Sequence, residues 1–144
     1  MEPQNSEEPL YVQRIRKEIL WVNENTSVRA EYFKEGQTEY VLYEAVETSG
    51  KSKDLPESSD VLVLVPSGYP GVQIDMPALP LDSKLSSHVV GSSNPQTIVS
   101  AKGRQWRFVS FHPYSNGGGP PWNSSEHGFH DYYNQIYTWL HRLI

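Results

Sequence analysis

The sequence contains no cysteine. That absence excludes disulfides, thiolate metal sites and cysteine nucleophiles. Positive charge is scarce as well: 12 lysines and arginines face 17 aspartates and glutamates, for a formal net charge of −5 and a pI near 5.5. The basic residues gather only at Arg14, Arg16 and Lys17 and at Lys102, Arg104 and Arg107. A phosphate backbone is bound by a clustered basic surplus, so nucleic acid is not an expected partner. No apolar run approaches the roughly 20 residues of a membrane span, and the polar beginning has no signal-peptide pattern. A cytoplasmic protein without membrane contact is expected.

A chain of 144 residues suits one domain with a real hydrophobic core. Residues 1–9, with Pro3, Glu7, Glu8 and Pro9, read as a flexible acidic arm, and 10–144 as the domain. Leu10, Ile15, Ile19 and Val22 approximate one helical face, which predicts a helix over 10–22 with a strand over 10–15 as the alternative. Asn23-Glu24-Asn25 reads as a turn. Val28, Ala30 and Tyr32 alternate with Arg29 and Glu31 as a half-buried strand does. Glu35-Gly36-Gln37 breaks the chain before a second strand, Tyr40 to Val46. The polar stretch 47–59 is a surface loop, and Val61 to Val65 is a strand expected to be buried on both faces. Local connections between these strands imply an antiparallel meander, because parallel neighbours need a long crossover.

The third strand runs into Pro66-Ser67-Gly68-Tyr69-Pro70, with Pro77 and Pro80 beyond. Proline lacks the backbone donor and Gly68 permits turn conformations, so this stretch reads as an extended exit rather than periodic structure. Tyr69, held between Gly68 and Pro70, is expected to anchor the exit over the sheet edge. Residues 81–103 form a long serine-rich loop with a short strand candidate at Thr97 to Val99. From Gln105 to Phe111 strand character returns, with Trp106, Phe108 and Ser110 on one face and Arg107, Val109 and Phe111 on the other. After His112-Pro113 an aperiodic loop, 114–122, carries three consecutive glycines and ends at Trp122. Asn123, Ser124 or Ser125 can cap a final helix whose apolar face is Phe129, Tyr132, Tyr133, Ile136, Trp139, Leu140 and Leu143. This order belongs to the α+β class.

The candidate chemistry is sparse. Gly117-Gly118-Gly119 lacks the Lys-Ser/Thr of a phosphate loop and is followed by two prolines. His127, His130 and Asp131, with His112, suggest a metal site. Gly128 interrupts them near the helix start and no second spaced pair exists, so no metal or other cofactor is expected. Asp131 suits the positive end of the helix dipole. A serine triad with His112 and Asp131 has no Gly-x-Ser-x-Gly elbow to support it. His112 reads as a strand-end residue bonded to loop backbone, and Trp106, Trp122 and Trp139 as core or loop anchors.

Pro66…Gly68-Tyr69-Pro70…Asp75-Met76…Pro80, then Gly103-Arg104-Gln105-Trp106 in a strand reaching His112-Pro113, then Trp122 and a helix, resemble the ubiquitin-conjugating-enzyme family. The nearer likeness is to its prokaryotic branch, found beside ubiquitin-like proteins and activating enzymes. The resemblance covers residues 55 to 143 and implies a four-stranded meander, an N-terminal helix, a proline-rich loop and a C-terminal helix on the sheet. It places the vestigial catalytic site at His112 and Asn116, and binding surface at Tyr69, Pro70, Trp106 and Trp122. Tyr114 stands where the family's Asn follows His-Pro, with Asn116 the nearest substitute. A serine in place of the missing thiol would form an ester that transfers poorly to amines, so thioester relay is closed to this chain. Either the protein is a cysteine-free relative that binds an activating enzyme or a ubiquitin-like protein, or a cysteine has been replaced, at Ala101 or among the glycine-loop serines. The competing expectations are a metal-dependent hydrolase built on His112, His127 and His130, and an interaction module unrelated to ubiquitin.

Overall fold

The structure, a computed structural model, describes residues 8–50, 54–86, 97–109, 111, 113–114 and 120–142. Helix α1, Leu10–Asn25, buries Val12, Ile15, Glu18, Ile19 and Val22 along one side. These residues recur every three or four positions, the spacing by which an amphipathic helix meets a core. The helix outlasts the expected boundary at Val22. Asn23, read as part of a turn, is still helical, and its carboxamide donates to Ala30 O at 3.0 Å and accepts from Ala30 N at 2.6 Å. A side chain thus pairs with the outer edge of strand β1, Arg29–Glu35, as a neighbouring strand would.

The sheet continues through β2 (Thr38–Glu47), β3 (Ser58–Leu64), β4 (Pro77–Pro80), β5 (Ile98–Ala101) and β6 (Arg104–Phe108), and the chain closes with α2 (Phe129–Arg142). The spatial order is β1-β2-β3-β4-β6-β5, with every pairing antiparallel. The fold is α+β, and its sheet has six strands where four were expected. One added strand lies in the proline exit. Pro77 and Pro80 occupy the two ends of β4, so the inner residues Ala78 and Leu79 keep their N–H groups for the ladder. Flanking bonds hold it in place: Val109 N donates to Pro77 O and Leu81 N to Gln105 O, both at 3.0 Å.

The other, β5, falls on the short strand candidate at Thr97 to Val99 and runs on to Ala101, where a hairpin turns it into β6. Lys102 and Gly103 both have positive φ, 57° and 69°, the pattern of the two-residue turn whose twist matches the flanking strands. This hairpin builds a second core on the sheet face away from the helices, from Tyr40, Leu42, Leu62, Ala78, Ala101 and Trp106. Trp106 is 1% exposed, and its indole N–H donates to Ala101 O at 3.0 Å. Ala101 is therefore a packed core residue beneath a tryptophan. The hairpin tip reaches β1 as well, since Lys102 N donates to Glu35 Oε2 at 2.7 Å and Lys102 Nζ pairs with Glu31 at 2.8 Å. The sheet is curled, and its first and last strands meet at one corner.

The larger core lies between the sheet's other face and the two helices, around Ile15, Val22, Val61, Val63, Leu79, Phe129, Tyr132, Ile136 and Leu140. Val61, Leu62 and Val63 are fully buried, as a two-faced strand requires, but Leu64 is 40% exposed. Among the described residues no helix is long and apolar enough to cross a membrane.

Between Tyr43 and Val46 the β2–β3 register shifts, with Ala45 at φ 61°. Asp60 secures the irregularity: Oδ1 accepts Ala45 N at 2.9 Å, and Oδ2 pairs with Arg104 at 2.8 Å. A Cβ in the left-handed region costs about 1–2 kcal/mol, and Ala45 is exposed, so nothing else is lost on removing its methyl. Ala45→Gly should therefore raise stability by about 0.5–1 kcal/mol, read as a higher urea midpoint at unchanged slope.

Candidate functional site

After β3 the chain makes two overlapping turns. Tyr69 N donates to Pro66 O at 3.1 Å and Gly71 N to Gly68 O at 2.8 Å, with Gly68 at φ 90°. The Tyr69–Pro70 peptide bond is cis. Tyr69 is an anchor, though not over the sheet edge as expected. It points into the core, 4% exposed, with its ring 5.1 Å from Phe129 and 6.3 Å from Trp122. What turns it inward is a carboxylate, because its hydroxyl donates to Glu18 Oε1 at 2.6 Å.

Glu18 is 7% exposed and gathers three parts of the chain. Besides Tyr69, it accepts Arg14 Nε at 2.6 Å and Phe129 N at 3.2 Å. The last contact places negative charge at the N-terminus of α2, where the unpaired backbone donors and the helix dipole favour it. Arg14 extends the tie, donating from its terminal nitrogens to Ser124 O at 2.5 Å and His127 O at 2.6 Å. Gly128 leaves room for all of this: a Cβ there would lie 2.3 Å from Glu18 Oε2.

Trp122 closes the arrangement. Its indole N–H donates to Pro70 O at 2.8 Å, tying the proline exit to the loop before α2. Tyr114 meets the Trp122 ring edge-on at 4.8 Å, and His127 lies 5.5 Å from Trp122 and 5.1 Å from Tyr114. Tyr114 is fully buried, and its hydroxyl donates to Asp131 Oδ2 at 2.5 Å. Asp131 Oδ1 in turn accepts Gly128 N, which satisfies one of the orphan donors of α2. The residue after His112-Pro113 is thus a packing and capping group whose hydroxyl is committed inside the core.

Tyr69, Pro70 and Trp122 come together here, while Trp106 lies on the opposite face of the sheet. His112 and Asn116 fall outside the described residues. His127 accepts Asn123 N at Nδ1, 2.9 Å away, which leaves its ring proton on Nε2. His130 instead meets the edge of Trp21 at 6.3 Å. Among the described residues no group of three His, Cys, Asp or Glu side chains is placed to hold a metal ion. Burial, then the neighbouring Glu18, pushes the Tyr69 hydroxyl well above its ordinary value, and burial, then Asp131, does the same at Tyr114. Both stay protonated donors. Among the described residues the site is an aromatic platform whose tyrosine hydroxyls are paired to carboxylates.

Sequence reasoning missed Glu18, Arg14 and the inward role of Tyr114. Arg14 and Glu18 stand four apart in a helix, a spacing common to surface ion pairs. No family model, curated protein or solved structure matches the chain.

Two outcomes follow from the geometry. Glu18→Ala leaves the half-buried Arg14 without its carboxylate and Tyr69 and Phe129 N without an acceptor, and should cost about 3 kcal/mol in urea unfolding. Alkali should act through the tyrosines. Tyr43, Tyr69, Tyr114 and Tyr132 all have hydroxyls raised above the ordinary value of 10.0, burial being the first cause in each. A raised folded value stabilises fully below that ordinary value and is lost as pH climbs above it. Tyrosinate absorbance from these four rings should therefore rise only together with loss of far-ultraviolet circular dichroism.

Proposed function

We propose that this protein is a ubiquitin-conjugating-like component of a bacterial ubiquitin-like modification pathway, and that it binds an activating enzyme or a ubiquitin-like protein without carrying a thioester. The observation behind this reading is the Trp122 to Pro70 bond. It joins the proline exit to the loop after His112-Pro113, the two segments on which the resemblance to that family rests, although they lie 52 residues apart. The helix, antiparallel strands, proline exit and closing helix follow the order that the resemblance implies.

The absence of cysteine decides the kind of activity. Thioester relay needs a group that is both nucleophile and leaving group, and the serines near Trp122 supply only the first at low strength. Among the described residues the tyrosine hydroxyls of the platform are paired to carboxylates, which supports association over catalysis. An interaction module with no ubiquitin connection is the second reading, favoured by the β5–β6 hairpin, which covers a sheet face that a four-stranded meander leaves bare.

The test is to titrate the protein calorimetrically with an activating enzyme and a ubiquitin-like protein of a bacterial ubiquitin-like pathway, and to incubate all three with ATP. Saturable binding of at least one partner, with no reductant-sensitive adduct on this chain, is expected. An adduct cleaved by thiols would overturn the silent role, and absence of heat with both partners would overturn the pathway assignment.

A further inference from the structure

We propose that the outer edge of β5 docks an extended segment of a partner protein in which an apolar residue is followed by an acidic one. The first observation is the state of the backbone. Phe108 N donates to Thr97 O at 3.0 Å, and Val99 and Ala101 lie opposite Trp106 and Arg104. In an antiparallel pair the backbone groups of alternate residues turn the same way, so Thr97, Val99 and Ala101 face β6 while Ile98 and Ser100 present N–H and C=O outward. Among the described residues neither outward pair has a bonding partner, and Ile98 is 45% exposed. The edge of β1 differs at Ala30, whose outward N–H and C=O are both paired by Asn23.

The second observation is a cavity of about 270 Å³ at the start of β5, lined by Leu64, Pro66, Asp75, Met76, Thr97 and Phe108. It lies on the second-core face of the sheet, next to the exposed Leu64. Its volume is below the roughly 300–1,000 Å³ of small-molecule sites and suits one large apolar side chain.

The third is Arg107. It lies opposite Ile98 in register, so its side chain is on the other face of the sheet from Trp106 and Phe108. Its Nε is buried without a partner, and the guanidinium forms no hydrogen bond or ion pair among the described residues. Arg107 is partly exposed, so its terminal nitrogens remain open to an incoming acceptor, and a carboxylate answers both the charge and the geometry of the guanidinium.

Strand addition combines the three. A strand laid along Ile98 and Ser100 sends successive side chains to opposite faces, one toward the cavity and the next toward Arg107. Two strand spacings, about 10 Å, separate that next residue from Arg107, a gap that arginine and glutamate side chains span together. The backbone ladder provides attachment, the cavity selects an apolar group and Arg107 an acidic one. None of this depends on the ubiquitin-conjugating-like reading.

The probe is the peptide acetyl-Ser-Leu-Glu-Leu-Glu-Ser-amide, titrated into the ¹⁵N-labelled full chain. Saturable shifts should appear at the Ile98 and Ser100 amides, and be lost with a peptide N-methylated at alternate residues, which leaves the protein untouched. Glutamine in place of both glutamates should weaken binding roughly fivefold, and Arg107→Gln should erase that difference. Absence of saturable shifts, equal binding of the N-methylated peptide, shifts centred on α1 or α2, or sedimentation showing a second copy already paired along β5 would each overturn the proposal. If Arg107→Gln does not fold, the glutamate-to-glutamine comparison on the unaltered chain still decides the role of charge.

Discussion

A single carboxylate that is nearly out of water sets the geometry of the helical side of this protein. Glu18 draws in the hydroxyl of Tyr69, the guanidinium of Arg14 and the first backbone donor of α2. Burying a charge is unfavourable unless its acceptor positions are filled, and here one donor from the same helix and two from distant parts of the chain fill them. The consequences run outward from that point. Tyr69 turns inward, the exit after β3 follows it, Trp122 reaches the Pro70 carbonyl, and Gly128 can have no side chain. A hydrophobic core alone would hold the helices to the sheet; Glu18 fixes their register against the proline exit.

The parts of the fold with periodic patterning were legible in the sequence. Ile15, Ile19 and Val22, Val28 to Tyr32, and Phe129 to Leu140 follow their spacing into α1, β1 and α2. The misjudged parts depend on partners far away in the chain. Proline is ordinarily a strand breaker, yet Pro77 and Pro80 bound β4 because only Ala78 and Leu79 need donors there. Lys102-Gly103 carried a hairpin signal, hidden by the serine-rich stretch before it and by β-branched runs of only a few residues. At the candidate site, Tyr69, Pro70 and Trp122 could be singled out by residue type. The Glu18 to Tyr69 bond could not, since it joins residues 51 apart and a glutamate within a helix ordinarily faces water.

The loop region near Trp122 shows how a fold can keep a frame while its polar groups serve structure. Tyr114 and Asp131 are engaged with each other and with the start of α2. A side chain that helps hold a helix end cannot also follow charge developing on a substrate without loosening that end. The arrangement favours rigidity, and rigid surfaces bind with less ordering cost than mobile ones.

The Asn23 carboxamide has a consequence for assembly. Sheets with two open edges can add strands on either side, which allows open-ended filaments when the contacts are head to tail. In this sheet the Asn23 carboxamide occupies the outward backbone groups of Ala30, so a strand approaching β1 cannot run its ladder through that residue. The carboxamide thereby shortens the edge that β1 offers to open-ended pairing.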